Sequence, residues 1–141
     1  MMNKNELREA AIAAMMRAYA PYSDFFVGAA LLTRGGKLYT GCNIENSSYS
    51  VTCCAERTAL FTAVAAGERE FGAIAIAGGH HGRLEGVCYP CGVCRQALTE
   101  FCEPSMPVLL VTAEGYEEHT LGEIFPGFFT NLKEKKDKAE K

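Results

Sequence analysis

Two short segments far apart in the chain, Cys54-Ala55-Glu56 and Pro90-Cys91-Gly92-Val93-Cys94, restrict its fold more than anything else in the sequence. Together they offer three thiolates and a carboxylate, and these can act as one group only if folding brings both segments to a single point. A structural zinc ion takes four protein ligands, whereas a catalytic one keeps three and leaves the fourth position to water, whose pKa it lowers to roughly 7. On that reading Cys54, Cys91 and Cys94 hold zinc, and Glu56 is free to move protons.

The surrounding pattern predicts how the two segments meet. From Cys54 to Ala66 the chain is rich in Ala and Leu and stops at Gly67, so Cys54 belongs to the first turn of a helix. Cys91 to Phe101 reads as a second helix, with Cys91 and Cys94 on one face at the spacing that chelates one ion. Both segments then lie at helix N-termini, where unpaired N–H groups and the helix dipole favour thiolates. Three thiolates more than neutralise Zn²⁺, and Arg57 is a candidate cation to offset the excess.

Other elements alternate around these helices. Asn3 and Glu6 form a capping pair for a helix running to Tyr19. Phe26 to Thr33 and Leu38 to Ile44 read as strands joined through Gly35-Gly36. Phe71 to Ala77 and Pro107 to Thr112 are further strands, and Gly78 to Gly86 reads as a loop. Thr120 with Glu123 caps a short helix that Pro126-Gly127 ends, and Lys133 to Lys141 is a solvated, flexible tail. The alternation predicts a layered α/β domain over residues 1–132, with helices packed on a mixed sheet.

Composition narrows the partners. With 141 residues, 48% of them apolar, the chain suits one domain with one core. No apolar run approaches the ~20 residues of a membrane span, and the polar start, Met1 to Glu6, lacks a secretory signal, so a cytoplasmic location is expected. Seven cysteines in that compartment read as thiols or metal ligands. A net charge of −3 argues against a nucleic-acid partner and for a small substrate.

Two less specific readings share the same cysteines. Cys53 or Cys88 could complete a four-thiolate structural zinc site, and Cys91-Gly92-Val93-Cys94 could be a redox dithiol. The first leaves Glu56 without a purpose.

The runs Gly41-Cys42-Asn43-Ile44-Glu45-Asn46, Cys54-Ala55-Glu56-Arg57-Thr58-Ala59 and Pro90-Cys91-Gly92-Val93-Cys94-Arg95-Gln96 resemble the small homotetrameric cytidine deaminases, from about Ala20 to Phe129. Cys before Glu and a later Pro-Cys-x-x-Cys is the general signature of zinc deaminases. The resemblance implies a three-layer α/β/α fold with about five strands and one zinc per subunit. It also implies a homotetramer with active sites at subunit interfaces, and hydrolytic deamination of cytidine and 2′-deoxycytidine in pyrimidine salvage. Glu56 would be the proton carrier, and Asn43 and Glu45 would bind the ribose. Phe25 would pack on the base, Ala55 would offer backbone groups to the pyrimidine edge, and Tyr49 and Phe129 would reach a neighbouring subunit's site. Blasticidin-type deaminases share the zinc motif, but Arg57-Thr58 and Asn43-x-Glu45 favour the nucleoside enzyme. Tyr89 in place of a small serine, Ser47 in place of alanine and a long 78–89 loop depart from the usual pattern. His80, His81 and His119 are expected to be exposed loop residues without a role.

Overall fold

The computed structural model describes residues 2–130. The predicted tail from residue 133 lies outside them. Four α-helices and five strands follow in the order α1 (Lys4–Met15), β1 (Phe25–Thr33), β2 (Leu38–Cys42), α2 (Ala55–Ala65), β3 (Phe71–His80), α3 (Gly92–Thr99), β4 (Pro107–Val111), β5 (Tyr116–Thr120) and α4 (Leu121–Ile124). A single 3₁₀ turn, Tyr49–Val51, precedes α2.

The strands form one mixed sheet in the order β2-β1-β3-β4-β5, antiparallel except for the β3–β4 pair. A parallel pair needs a crossover connection, and the chain from β3 through α3 to β4 supplies it. Period-two alternation then sorts the side chains between two layers. Ala29, Leu31, Ile74, Ile76, Val108 and Leu110 pack with α2 and α3, whereas Ala30, Leu32, Ala75, Leu109 and Val111 pack with Leu7, Ala11 and Met15 of α1. The result is a three-layer α/β/α sandwich.

Local chemistry accounts for the element ends. Asn3 caps α1, its Oδ1 accepting from the Glu6 backbone N–H at 2.9 Å while its Nδ2 donates to the Glu6 carboxylate at 3.1 Å. That helix stops at Met15, short of the predicted Tyr19, which instead bridges to Ile44. At the β1–β2 turn Gly36 adopts φ 94°, which its missing Cβ permits. Strand β2 ends at Cys42, not Ile44.

Helix α2 sits unusually close to β2. A Cβ added to Gly41 would lie 2.4 Å from the Ala59 nitrogen and 2.6 Å from the Ala55 carbonyl oxygen. This close approach seats the first turn of α2 on the sheet.

Candidate active site

Cys54 and Cys91 are the N-cap residues of α2 and α3, each with extended backbone immediately before its helix. Neither lies in a first helical turn as the sequence predicts; both stand one position earlier, where side chains project past the helix end. Cys94 follows on the first turn of α3, and its backbone N–H donates to the Cys91 Sγ at 3.4 Å. The Sγ atoms of Cys54 and Cys91 are 3.8 Å apart. All three sulfurs lie within 4.8 Å of one another. Tetrahedral zinc with Zn–S bonds of about 2.3 Å requires sulfur–sulfur edges of about 3.8 Å, so the set fits the ion with little adjustment. Among the described residues no other group of three or more His, Cys, Asp or Glu side chains is so gathered, and neither Cys53 nor Cys88 joins this one. The four-thiolate alternative therefore has no geometric support.

The three thiols are not equivalent. A hydrogen bond from Cys94 draws the Cys54 pKa down to about 5; burial opposes this, while Arg57 and Cys91 reinforce it. Cys94 moves the other way, because it donates that bond and is itself buried. Arg57 reaches the site directly: Nη2 lies 3.5 Å from the Cys54 Sγ and 3.4 Å from the Thr52 carbonyl oxygen. Its Nε is buried without a partner.

Glu56, one residue into α2 and only 3% exposed, faces a cleft of about 330 Å³. Burial lifts its carboxyl to about 7, and the negative charge of Cys54 adds to the effect while Cys94 and Arg57 oppose it. A carboxyl at that value holds and releases protons near neutrality. Phe25, Asn43, Glu45, Cys54 and Cys91 border the same cleft.

Asn43 and Glu45 flank Ile44, which is held extended by bridges to Tyr19 and Cys53, so both line the cleft although β2 has already ended. The Asn43 amide, 8% exposed, is anchored to β1: Oδ1 accepts from the Val27 N–H at 2.9 Å and Nδ2 donates to the Phe25 carbonyl at 2.8 Å. One amide hydrogen and one lone pair remain for a ligand. Glu45 accepts from the Tyr22 and Ser23 backbone N–H groups at 2.9 and 3.1 Å and from the Ser23 hydroxyl. Burial raises its pKa, but those three bonds outweigh it and leave the carboxyl below its ordinary range.

Of the remaining predicted residues, Ala55 adjoins a thiol, whereas Tyr49 and Phe129 stand apart from the cluster. Ala55 is buried between Cys54 and Glu56 at the start of α2. Tyr49, 76% exposed, borders a second hollow of about 420 Å³ that shares Ser23, Glu45 and Thr52 with the cleft. Phe129 is 74% exposed; its carbonyl accepts from the Gln96 Nε2, and its ring borders neither hollow. Ser23, Val27, Thr52, Cys88 and Tyr89 also line the cleft. Val27 lies in β1 and the other four in loops, which carry no periodic signal; the sequence marks only Cys88, as a possible fourth thiolate, and Tyr89, as a departure from the usual pattern. The histidine expectation is corrected for two of the three: His80 ends β3 and His119 lies in β5.

A family profile described as the cytidine and deoxycytidylate deaminase zinc-binding region matches residues 1–110, which include the three thiols and Glu56. The chain belongs to the cytidine and deoxycytidylate deaminase family. Within it, a cytidine deaminase of Sporosarcina psychrophila is 53% identical over 115 residues, covering 81% of this chain and 82% of that protein. The Halalkalibacterium halodurans cytidine deaminase is 45% identical over 130 residues, 92% of this chain and 96% of the relative. In three dimensions, the Burkholderia pseudomallei cytidine deaminase superposes with a TM-score of 0.83 at 48% identity, covering 91% of this chain and all of that one. Family membership and the gathered thiols make this a zinc-binding deaminase domain. No helix among the described residues is long and apolar enough to cross a membrane.

Proposed function

We propose that this protein hydrolyses cytidine and 2′-deoxycytidine to uridine and 2′-deoxyuridine, releasing ammonia. One observation carries the reading: a nearly buried carboxyl, Glu56, shares a cleft with the three-thiol cluster, and Asn43 and Glu45 stand on the same cleft's wall. Cys54, Cys91 and Cys94 would hold zinc, which when bound supplies the Lewis acidity that makes water nucleophilic near neutral pH.

The chain's own residues do the rest. Glu56 takes a proton from the incoming water and delivers it to ring N3, so that the ring need not carry negative charge as C4 is attacked. It then carries the remaining hydroxyl proton to the amino group, and neutral ammonia leaves instead of amide ion. Burial suits Glu56 to both tasks, because a carboxyl near 7 is neither a strong acid nor a fixed anion at working pH. Arg57, against Cys54, offsets negative charge on the thiolates. Asn43 and Glu45, preset by their backbone bonds, receive the ribose hydroxyls, and Phe25 packs on the base.

The reading treats residues 1–132 as one deaminase domain, expects a homotetramer in the cytoplasm and assigns Tyr49 and Phe129 to neighbouring sites. The high exposure of both rings supports the last assignment. Absorbance assays with cytidine, deoxycytidine, cytosine and blasticidin S, repeated after chelation, test the whole. Turnover of both nucleosides, little with cytosine, and loss on chelation are expected. Equal use of cytosine would remove the ribose role of Asn43 and Glu45, and turnover of blasticidin S alone would replace the substrate assignment.

A further inference from the structure

Phe25 opens β1 at the wall of the cleft, and its register partner on β3 is His80. Residues so paired present their side chains on the same face of the sheet. Here the two rings meet nearly at right angles, with centroids 5.0 Å apart and planes at 80°. Gly78 leaves room beneath: an added Cβ would stand 3.2 Å from the Phe25 ring and 3.0 Å from the Cys88 Sγ.

His80 is itself tied in place. Glu85 accepts the His80 backbone N–H at 3.0 Å with one oxygen and meets the imidazole Nδ1 at 2.9 Å with the other. The bond to the imidazole above all, together with the backbone bond, holds the Glu85 carboxyl below its ordinary range despite slight desolvation. Glu85 reaches this position because the chain after β3 folds back over Gly79, where a Cβ would fall 1.5 Å from the Arg83 carbonyl oxygen. The next pair out is fastened too. His81 donates its backbone N–H to the Asp24 carbonyl at 2.9 Å, its ring pairs with the Asp24 carboxylate, and both residues adopt left-handed backbone, φ 59° at His81 and 57° at Asp24. A solvent-facing corner that only ended a strand would need none of these ties.

We propose that His80, clamped by Glu85, is a positioning residue that fixes the Phe25 ring before the nucleoside arrives. This rests on the reading of Phe25 as the wall against which the base packs. A preset ring loses little freedom on binding, so the effect belongs in substrate affinity and not in the chemical step.

Steady-state kinetics on the full-length zinc-loaded enzyme test it. His80→Ala should raise KM for cytidine about three- to tenfold, the weight of one aromatic edge contact, with kcat within about twofold. His80→Phe should restore KM, and Glu85→Ala should reproduce part of the rise. Phe25→Leu should raise KM further, and adding His80→Ala to it should change nothing more. Unchanged KM in His80→Ala beside a raised KM in Phe25→Leu would overturn the proposal and leave the base-wall reading standing. Unchanged KM in Phe25→Leu would remove that reading, and the proposal with it. Additive effects in the double variant would place His80's influence elsewhere and also overturn it. Zinc content and thermal midpoint identify any variant that fails to fold, in which case His80→Phe and Glu85→Ala decide.

Discussion

Glu56 is a carboxyl held away from water at the start of a helix, beside the Cys54 sulfur, whose charge repels its own. Glu56→Gln keeps the shape and removes the proton carrier, so zinc content should stay near one per chain while kcat falls at least about a hundredfold. Near-normal turnover would refute the assignment. The same substitution should strengthen the metal-free fold. Because the folded pKa of about 7 lies above the ordinary carboxyl value, folding favours the protonated form. The penalty is therefore absent at pH values below the unfolded pKa, grows as pH rises, and is complete above about 7, where it amounts to roughly 3 kcal/mol. Chemical denaturation of the zinc-free variant and wild type should diverge at pH 8 and converge near pH 4; a constant difference would contradict this origin. Arg57→Gln, which removes the cation at Cys54, should lower turnover or zinc affinity about 10–100-fold, read from kcat and zinc titration. Residue identities at this scale were legible in the sequence, since the motif spacing selects Cys54, Cys91, Cys94 and Glu56. Their positions were not fully so. The two leading cysteines cap their helices instead of beginning them, a difference of one residue that hydrophobic periodicity does not resolve.

Elements legible in the sequence are those with strong local chemistry: the Asn3 cap, the Gly-Gly hairpin, the Thr120 cap and the apolar runs of β1, β3 and β4. Strand β5 escapes such reading because Tyr116-Glu-Glu-His-Thr120 is a polar edge strand paired only to β4. Strand β3 runs to His80, beyond the predicted end, because Gly78 and Gly79 read as loop formers. They serve another purpose, giving room to Phe25, Cys88 and the returning chain at Arg83. Gly41 follows the same logic under α2. Gly41→Ala would force α2 off β2 at the end that carries Cys54, with overpacking costing about 1–3 kcal/mol or more. The thermal midpoint of the zinc-free chain should fall by about 3–10 °C, with weaker zinc retention. An unchanged midpoint would mean that α2 can back away freely.

At the scale of the whole molecule, Ser23, Glu45 and Thr52 join the cleft to the hollow beside Tyr49, and Phe129 stands exposed and lines neither. No pattern within one chain indicates what covers these rings; on the proposed reading a second copy does. If Phe129 completes a neighbour's site, two defective variants should repair each other. Phe129→Ala keeps its own Glu56 and lacks the ring it lends, whereas Glu56→Gln keeps the ring and lacks the proton carrier. Unfolded together and refolded, the two form hybrids in which an intact Glu56 meets an intact Phe129 from the other chain. Activity of the mixture should then exceed the sum of the separately refolded variants severalfold, while mass measurement in solution shows assemblies larger than one chain. Activity equal to that sum, in assemblies that demonstrably mix, would confine Phe129 to its own subunit and leave each site built from a single chain.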